Sequence, residues 1–407
     1  MAGPRLAGSR GDKLAVAWGL AKMKELGFQN VRAQKVIVPH WERGRAWAEI
    51  TAPNPQPLVL AALGGSVGTP EEGIEAEVIE VASLDALEKI EDAKVKDKIV
   101  FFNAMMARTR DGSGYGRAVA VRVDGASRAG AKGARAVVIR SVGTDMQRMP
   151  HTGGMHYDEK APRIPAAALT NPDADQLHET IALGKPVRMR LQLSCRMLAD
   201  EESANVIGEV PGKTLPRKIV LMGAHLDSWD LGTGAIDDGA GCAIVLEAAR
   251  RAGALHPART IRVVLFANEE WGLSGAKAYF ESVEMDARDH VAMTESDFGS
   301  GRAWKLDSLA GEASLPLVEE VRTILAPLGV ERGGNESGGG ADISPFAPCK
   351  TPILSLTQDG TFYFDIHHTP NDTLDKVDVR DLDQNVAAYA VLAYVAADMP
   401  RELAPPP

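Results

Sequence analysis

Residues that commonly bind metal ions recur in the carboxyl-terminal half of the chain, near the ends of successive apolar runs. Neutral imidazole nitrogens and carboxylate oxygens are the ligands that Zn²⁺ takes when it keeps an open position for water. One acid at the end of a strand is commonly a helix cap or a turn residue. Repetition at several strand ends instead favours a site for two zinc ions. The residues concerned are His225, Asp227, Asp237, Glu269, Glu270, Asp297, His367 and His368.

Four apolar runs predict the strands that position most of these residues. The runs are KIVLMGAHLD, TIRVVLFANEE, HVAMTESD and PILSLTQ, and helix-like stretches such as AGCAIVLEAARRA lie among them. This alternation predicts βαβ units, and hence an α/β fold whose mostly parallel mixed sheet is sandwiched by helices. In open sheets of this kind, ligands bind beyond the carboxyl ends of the strands. We therefore expect the chemistry at that edge.

The rest of the chain predicts a second domain inserted into the first. Residues 12–27 have the apolar spacing of a helix, and the segments VRAQKVIVPHW and RAWAEITAP that follow indicate a pair of strands. Beyond three closely spaced prolines, short apolar strands alternate with Gly-rich turns. We expect a catalytic domain formed by residues 1–56 and 198–407, and a β-rich inserted domain over residues 57–197.

Composition excludes several classes of partner. The 407 residues carry a net charge of −10, which argues against a nucleic-acid partner because binding to phosphates needs a basic surface. No apolar run reaches the ~18 residues that a membrane span requires.

The opening MAGPRLAGSR has no charged-then-apolar leader. We expect a secreted or periplasmic protein whose signal peptide is absent from this chain, with a cytoplasmic location as the alternative.

Four motifs contain most of these residues, and they are GAHLDSWDLGTGAIDDGAG, NEEWG, ESDFG and HHTPNDT. In residue type and in order they resemble the motifs of the M28 family of co-catalytic zinc exopeptidases, most closely its carboxypeptidase Q (plasma glutamate carboxypeptidase) type. The segment ESANVIGEVPG also resembles the family. The inserted region resembles a protease-associated (PA) domain in its pattern of short strands and in its position in the chain. The resemblance implies a zinc exopeptidase fold and a metallopeptidase with two Zn²⁺ per chain.

The resemblance also assigns the metal ligands residue by residue. It implies that His225 binds one zinc ion and that Asp237 bridges both ions. Glu270 and Asp297 each supply a carboxylate oxygen, one to each ion, and His368 is the matching histidine of the last motif. These five residues form the complete ligand set that the likeness implies.

Two further residues match positions that assist the ligands in the family. Asp227 matches an aspartate that orients the imidazole of His225. His367 stands where some relatives have a group that steadies the tetrahedral intermediate. Only one of two adjacent histidines on an extended segment can point inward, so an ordinary loop pair is the alternative for His367 and His368.

The adjacent acids Glu269 and Glu270 are expected to do different work. Successive side chains of an extended segment face opposite ways. With the resemblance, Glu270 faces a metal ion and stays ionised, while Glu269 faces the water that bridges the ions and acts as general base. The charge of the metal ions removes the repulsion that makes such a pair costly.

The resemblance implies a class of substrate, and Asp342 and Tyr363 are candidate residues for contacting it. Members of this type are associated with the hydrolysis of dipeptides and short peptides from the free end. Asp342 lies where the family builds part of its substrate pocket, although a turn-forming aspartate is an alternative. Tyr363 is a candidate donor to the oxyanion, with a core role as the alternative. We expect short peptides as substrates, and a homodimer because relatives of this architecture often dimerise.

Other polar residues near the motifs are given structural roles. Asp230, Asp238 and Glu295 are expected to be helix caps or turn residues. The remaining histidines have no metal-type neighbourhood in the sequence, and core or surface positions are expected for them. They are His40, His151, His156, His178, His256 and His290.

Three other functions fit parts of the pattern. A metal-free, receptor-like binding protein of the same fold would have lost its ligands, whereas all five are present here. A glutaminyl cyclase has a related site, but the inserted region argues against that class. An M20-type N-acyl amino acid amidohydrolase places its bridging aspartate farther from the first histidine than Asp237 is from His225.

Overall fold

The computed structural model describes residues 2–406, without the side chains of residues 284 and 286, and it contains two compact units. The first comprises the described residues up to Val38, Asp200–Tyr363, and the described residues from Thr373 onward. The second comprises Pro39–Ala199 and Phe364–Asp372. Each unit has its own eight-stranded sheet.

The strands are numbered in chain order. They are β1 (Gln29–Val38), β2 (Trp41–Glu42), β3 (Ala46–Ala52), β4 (Gln56–Leu58), β5 (Leu60–Ala62), β6 (Ile74–Val81), β7 (Ile99–Phe102), β8 (Ala136–Arg140), β9 (Ala166–Leu169), β10 (Arg188–Leu193), β11 (Arg196–Met197), β12 (Glu201–Val210), β13 (Leu215–His225), β14 (Arg259–Phe266), β15 (His290–Glu295), β16 (Ala303–Leu309), β17 (Glu331–Arg332) and β18 (Ile353–Gln358).

The helices are numbered in the same way. They are α1 (Arg10–Glu25), α2 (Leu84–Glu88), α3 (Asp92–Val95), α4 (Ser113–Ala118), α5 (Ala120–Ala131), α6 (Asn171–Ala182), α7 (Ala240–Gly253), α8 (Ser274–Val283), α9 (Leu315–Leu325) and α10 (Val379–Asp398). Among the described residues, every helix is too short or too polar to span a lipid bilayer.

Side-chain caps fix where several helices begin. Ser9 accepts a hydrogen bond from the N–H of Asp12 at the start of α1. Thr170 accepts one from the N–H of Asp173 at the start of α6, and Asp378 caps α10 in the same way. These side chains satisfy backbone donors that have no partner within the helix. Local sequence therefore sets these helix starts.

The first unit has a parallel centre with antiparallel flanks. Its strand order is β1-β12-β14-β13-β15-β18-β16-β17. The central strands β14, β13, β15 and β18 run parallel, whereas β12 and β16 pair with that group in the antiparallel direction. The carboxyl ends of the central strands consequently meet at one edge. The predicted mixed α/β fold is confirmed.

Helices cover both faces of this sheet. Val220 and Met222 of β13 belong to a core cluster that includes residues of α7 and α10. Leu221, between them, belongs to a second cluster that includes Ala276 and Tyr279 of α8. Side chains of a strand alternate between the two faces, so a continuous apolar run is what a strand buried on both sides requires.

The second unit contains a different mixed sheet, with the order β4-β3-β10-β6-β7-β8-β9-β5. Strands β6 to β9 are parallel, and helices α2 to α6 lie between strands of this sheet along the chain. The sequence predicts a β-rich region with one helix at GASRAGAKGA, which overlaps α5, whereas the other four helices are not predicted. The PA-like character of this unit stays a prediction.

The amino-terminal segment differs from the prediction in its strand pairing and in where the first unit ends. Strand β1 pairs with β12 in the first unit, whereas β3 pairs with β10 in the second, so the expected pairing of these two segments with each other is wrong. The expected boundary after residue 56 falls inside the second sheet, and the first unit ends at Val38 instead. Strand pairing with β10, which is remote in sequence, decides this boundary.

Candidate metal centre

The candidate ligands of the first unit follow the parallel strands directly. His225 is the last residue of β13, and Glu270 lies a few residues beyond the end of β14. Asp297 follows β15, and Asp237 lies in the short turn Ala235–Gly239 that leads into α7. The common direction of β13, β14 and β15 brings these loops to one edge of the sheet.

The imidazole of His225 is the centre of this group. Its Nε2 lies 3.0 Å from Oδ1 of Asp237 and 3.3 Å from Oδ1 of Asp297. One ligand atom from each of His225, Asp237 and Glu270 lies within 4.8 Å of the others. His225 and Asp237 are buried, and Glu270 and Asp297 are half-buried. Four of the predicted ligands therefore converge within metal-binding range.

The electrostatics of the group fit a cation. Burial alone lowers the pKa of His225, but the charge of Asp297 and hydrogen bonds to Asp227 and Asp237 outweigh it and raise that pKa well above its usual range. Burial, and next the charge of Asp297, raise the pKa of Glu269 well above its usual range. Carboxylates gathered around one imidazole are a donor set of the type that binds zinc, and a divalent ion relieves their repulsion.

The residue Asp227 fixes two parts of the site. His225 Nδ1 lies 3.1 Å from the backbone oxygen of Asp227 and 3.7 Å from its Oδ1. The same Oδ1 accepts a hydrogen bond from the backbone N–H of Glu269 at 3.0 Å. The carboxylate thus positions the Glu269 backbone, while the carbonyl oxygen is the nearer contact of the imidazole.

Asp238 uses its carboxylate to hold the backbone. The peptide bond between Asp237 and Asp238 is cis. Oδ2 of Asp238 accepts from the N–H of His225, and Oδ1 accepts from the N–H of Gly241, both at 3.0 Å. A Cβ at Gly241 would collide with this carboxylate, so glycine is needed there. Asp238 lies close to His225 and Asp297, but both its oxygens are already bonded.

A second pair of buried acids lies after β15. Glu295 accepts hydrogen bonds from the N–H groups of Asp342 at 3.3 Å and Ile343 at 3.0 Å. Burial, and next the charge of Asp297, raise the pKa of Glu295 to about 8. Asp342 is fully buried, and neither of its carboxylate oxygens has a hydrogen-bond partner among the described residues. A substrate group could reach Asp342 only after local opening.

Tyr363 is buried beside the acids of the first unit. Its ring lies 5.4 Å from that of Phe298, and Gly299 leaves the space that the ring occupies. Burial, and next the charges of Asp237 and Asp297, raise the pKa of Tyr363 well above its usual range. The phenol therefore keeps its proton and can act as a hydrogen-bond donor.

The histidines of the last motif belong to the second unit, in the segment Phe364–Asp372. The carboxylate of Asp365 pairs with the guanidinium of Arg108 at 2.6 Å and accepts from the hydroxyl of Thr144 at 2.8 Å. The rings of His367 and His368 stack with their centroids 3.5 Å apart. The extended geometry assumed from the sequence is wrong, because His368 has a φ of +61° and the chain turns there.

A buried histidine holds this segment in place. His151 Nε2 lies 2.8 Å from Oδ1 of Asp145, and its Nδ1 lies 2.7 Å from the backbone oxygen of His367. His151 is buried and His178 is exposed, so the expected core and surface positions are confirmed for these two. Each nevertheless contacts one carboxylate, and the ring of His178 lies 2.7 Å from Glu80. Asp145 precedes His151 by six residues, a spacing that matches no motif.

Arg5 is a functional candidate that the sequence analysis missed. The guanidinium donates from Nε to the backbone oxygen of Leu226 at 2.7 Å, and from Nη1 to that of Thr233 at 2.6 Å. Nη2 donates to the backbone oxygens of Asp227 at 3.4 Å and Gly234 at 3.0 Å. Arg5 therefore ties the loop that follows His225 to the loop that carries Asp237. No local pattern around MAGPRL indicates this role.

Known proteins share this sequence and this fold. The profile of Peptidase family M28 matches residues 205–393. Carboxypeptidase Q of Homo sapiens is 35% identical over 399 residues, which cover 98% of this chain and 83% of that protein. The crystal structure of a Peptidase M28 precursor from Shewanella amazonensis is 48% identical, with a TM-score of 0.98 over 100% of this chain and 92% of that one. A zinc aminopeptidase from Bacillus subtilis, 22% identical, shares the fold with a TM-score of 0.69 over 98% of this chain and 93% of that one.

Replacement of Arg5 by alanine is expected to lower the free energy of unfolding by ~3 kcal/mol or more, because several buried carbonyl oxygens lose a charged donor. Arg5→Lys should recover only part of this loss, since an ammonium group lacks the planar fork that reaches both loops. Urea unfolding measures the effect. The matched control is Arg10→Ala, at an exposed position at the start of α1. Equal stability of the Arg5 and Arg10 variants would contradict the role of Arg5.

Proposed function

The chain belongs to peptidase family M28 and is a metallopeptidase, and from that premise we propose that it is a di-zinc exopeptidase. The proposed reaction is hydrolysis of dipeptides, or removal of the amino-terminal residue of short peptides. Short peptides are thus the proposed substrates. A homodimer and a secreted or periplasmic location stay predictions.

The observation that carries the proposal is the convergence of one imidazole and three carboxylates at the carboxyl edge of the parallel strands. Nε2 of His225 lies 3.0 Å from Oδ1 of Asp237 and 3.3 Å from Oδ1 of Asp297. These short distances support the three residues as ligands of one ion. Asp237 and Glu270, together with His368 from its motif, would hold a second ion. Zinc at these positions would supply a Lewis acid for the scissile carbonyl and would lower the pKa of water.

Glu269 is the proposed general base. The hydrogen bond from its backbone N–H to Oδ1 of Asp227 at 3.0 Å fixes the backbone at the start of the Glu pair and supports this assignment. It takes a proton from the attacking water and delivers it to the leaving amine. Tyr363, which keeps its own proton, and His367 are proposed to donate hydrogen bonds to the oxyanion.

Glu269→Gln is expected to lower kcat by ~10² to 10⁴, because the amide cannot accept the proton of the attacking water. The zinc content should stay at the wild-type value, since Glu270 and the other ligands are unchanged. Steady-state kinetics on a dipeptide and metal analysis of the same sample measure the two quantities. The control is Glu281→Gln, at an exposed position in α8. Near-wild-type turnover by the Glu269 variant would rule out the base assignment.

Zinc stoichiometry tests the ligand set independently of turnover. After removal of metal by a chelator and dialysis against excess zinc, the wild-type chain is expected to hold two ions. His368→Ala should hold one, because the ligand of the second ion is lost. The control is His178→Ala, whose exposed ring contacts Glu80. A wild-type chain that binds no zinc would instead favour the receptor-like alternative.

A further inference from the structure

The first unit contains a cavity of about 450 Å³ that lies wholly within it. Three parts of the chain form its walls, namely the amino-terminal segment with α1, the loop that leads into α7 with the start of that helix, and the segment that leads into α10. This volume is in the range of small-molecule sites. Among the described residues, the proposed substrate contacts Asp342 and Tyr363 are not part of the lining.

The lining of this cavity is apolar and offers no free charge. Glycine and alanine form much of it, and the larger apolar residues are Trp18, Leu226, Leu374, Val377 and Leu382. The charged side chain among the described lining residues is that of Arg5, and each nitrogen of its guanidinium donates to a backbone oxygen. A ligand of this cavity is therefore uncharged.

The cavity opens to solvent between α1 and the segment that leads into α10. Trp18 and Leu374 both line it, and they are 44% and 72% exposed. Exposure of large apolar side chains around one opening is unfavourable in water, and such patches commonly mark interaction sites. A small molecule thus has a route of entry from the surface.

The polar groups of the wall favour a small molecule over an inserted peptide segment. A peptide brings backbone N–H and C=O groups that need partners when they leave water. The backbone oxygens of Leu226, Thr233 and Gly234 already accept hydrogen bonds from Arg5. The thiol of Cys242 donates to the backbone oxygen of a neighbouring strand end at 3.0 Å. An apolar molecule needs no such partners and gains from burial alone.

The same walls carry proposed zinc ligands on their other side. Leu226 follows His225 in the chain, and the cavity-lining residues Gly234 and Gly239 lie on either side of Asp237. Oδ1 of Asp237 lies 3.0 Å from Nε2 of His225. A molecule in the cavity therefore packs against the backbone that presents both of these ligands.

We propose that this cavity binds an uncharged, apolar small molecule, and that its occupancy strengthens zinc binding by Asp237. The second part rests on the proposed function, because it uses the proposed ligands. Glycine loses more backbone freedom on ordering than any other residue, and the turn contains Gly234 and Gly239. A molecule that already orders this turn lowers the cost of ordering it for zinc. The coupling is reciprocal, so zinc strengthens binding of the apolar molecule by the same factor.

The uncharged probe N-phenyl-1-naphthylamine, whose fluorescence rises in apolar surroundings, tests the cavity directly. Wild type is expected to bind it at a single saturable site. Ala243 of α7 lines the cavity and is exposed, so Ala243→Phe fills the space without disturbing the core. The Kd should rise at least ~10-fold in this variant. Leu374→Ser, which removes an apolar side chain at the opening, should weaken binding to a smaller extent.

Matched controls make the same substitutions outside the cavity. Ala254 and Leu255 are exposed residues just beyond α7, and neither is part of the lining. Ala254→Phe and Leu255→Ser should bind the probe as wild type does. Equal probe affinity in wild type and Ala243→Phe overturns the cavity site.

A charged form of the probe tests the chemical class of the ligand. In 8-anilino-1-naphthalenesulfonate the same aromatic framework carries a sulfonate group. It should bind the cavity at least ~10-fold more weakly, because a buried anion needs a free cation or donor. Binding as tight as that of the uncharged probe would contradict the assignment of an uncharged ligand.

Titration of the metal-free and the zinc-loaded chain separates this inference from the proposed function. The probe is expected to bind ~5-fold or more tightly with zinc present. Cavity-dependent binding that is indifferent to zinc overturns the coupling. If the chain takes up no zinc, the proposed function fails, and the comparison of metal-free wild type with Ala243→Phe still decides the cavity site. A wild-type dimer that excludes the probe and that Ala243→Phe dissociates, measured by light scattering, overturns the small molecule as occupant in favour of a second copy.

Discussion

Repulsion among carboxylates is the constraint on which the first unit depends. The parallel strands bring Asp237, Glu270 and Asp297 to one edge, around the imidazole of His225. Burial makes this arrangement more costly, because it removes the water that would screen the charges. The raised pKa of Glu269 has that origin, with burial first and the charge of Asp297 next. Such a group is stable only if the backbone is held firmly and a cation of suitable chemistry can bind.

Other charged residues hold that backbone. Asp227, Asp238 and Glu295 accept hydrogen bonds from backbone N–H groups, and Arg5 donates to backbone oxygens of two loops. Carboxylates within one small region therefore have two different roles. An acid bonded to the backbone positions the chain, whereas an acid that faces the imidazole is available to a metal ion. The distinction between Asp237 and Asp238, which are adjacent in sequence, follows from this difference in partners.

The second unit shows the same contrast for cations. Arg140 donates to Asn103, Asp175 and a backbone oxygen, which is the usual arrangement for a buried guanidinium. Among the described residues, the guanidinium of Arg122 has no such partners, and its Cζ lies 5.4 Å from the centre of the Tyr115 ring. A group that supports the fold satisfies its hydrogen bonds within the protein. A group that remains unsatisfied while buried costs stability.

The sequence by itself determined the family, the α/β class of the first unit and the strand ends that carry His225, Glu270 and Asp297. These features depend on residue type and on local periodicity, which short segments display without their partners. The tertiary structure alone decided that β1 and β3 belong to different sheets, and that the segment with His368 lies in the second unit. It also decided the contacts of Arg5, which reaches loops more than 220 residues away. Such pairings depend on packing between distant parts of the chain, and periodicity carries no information about them.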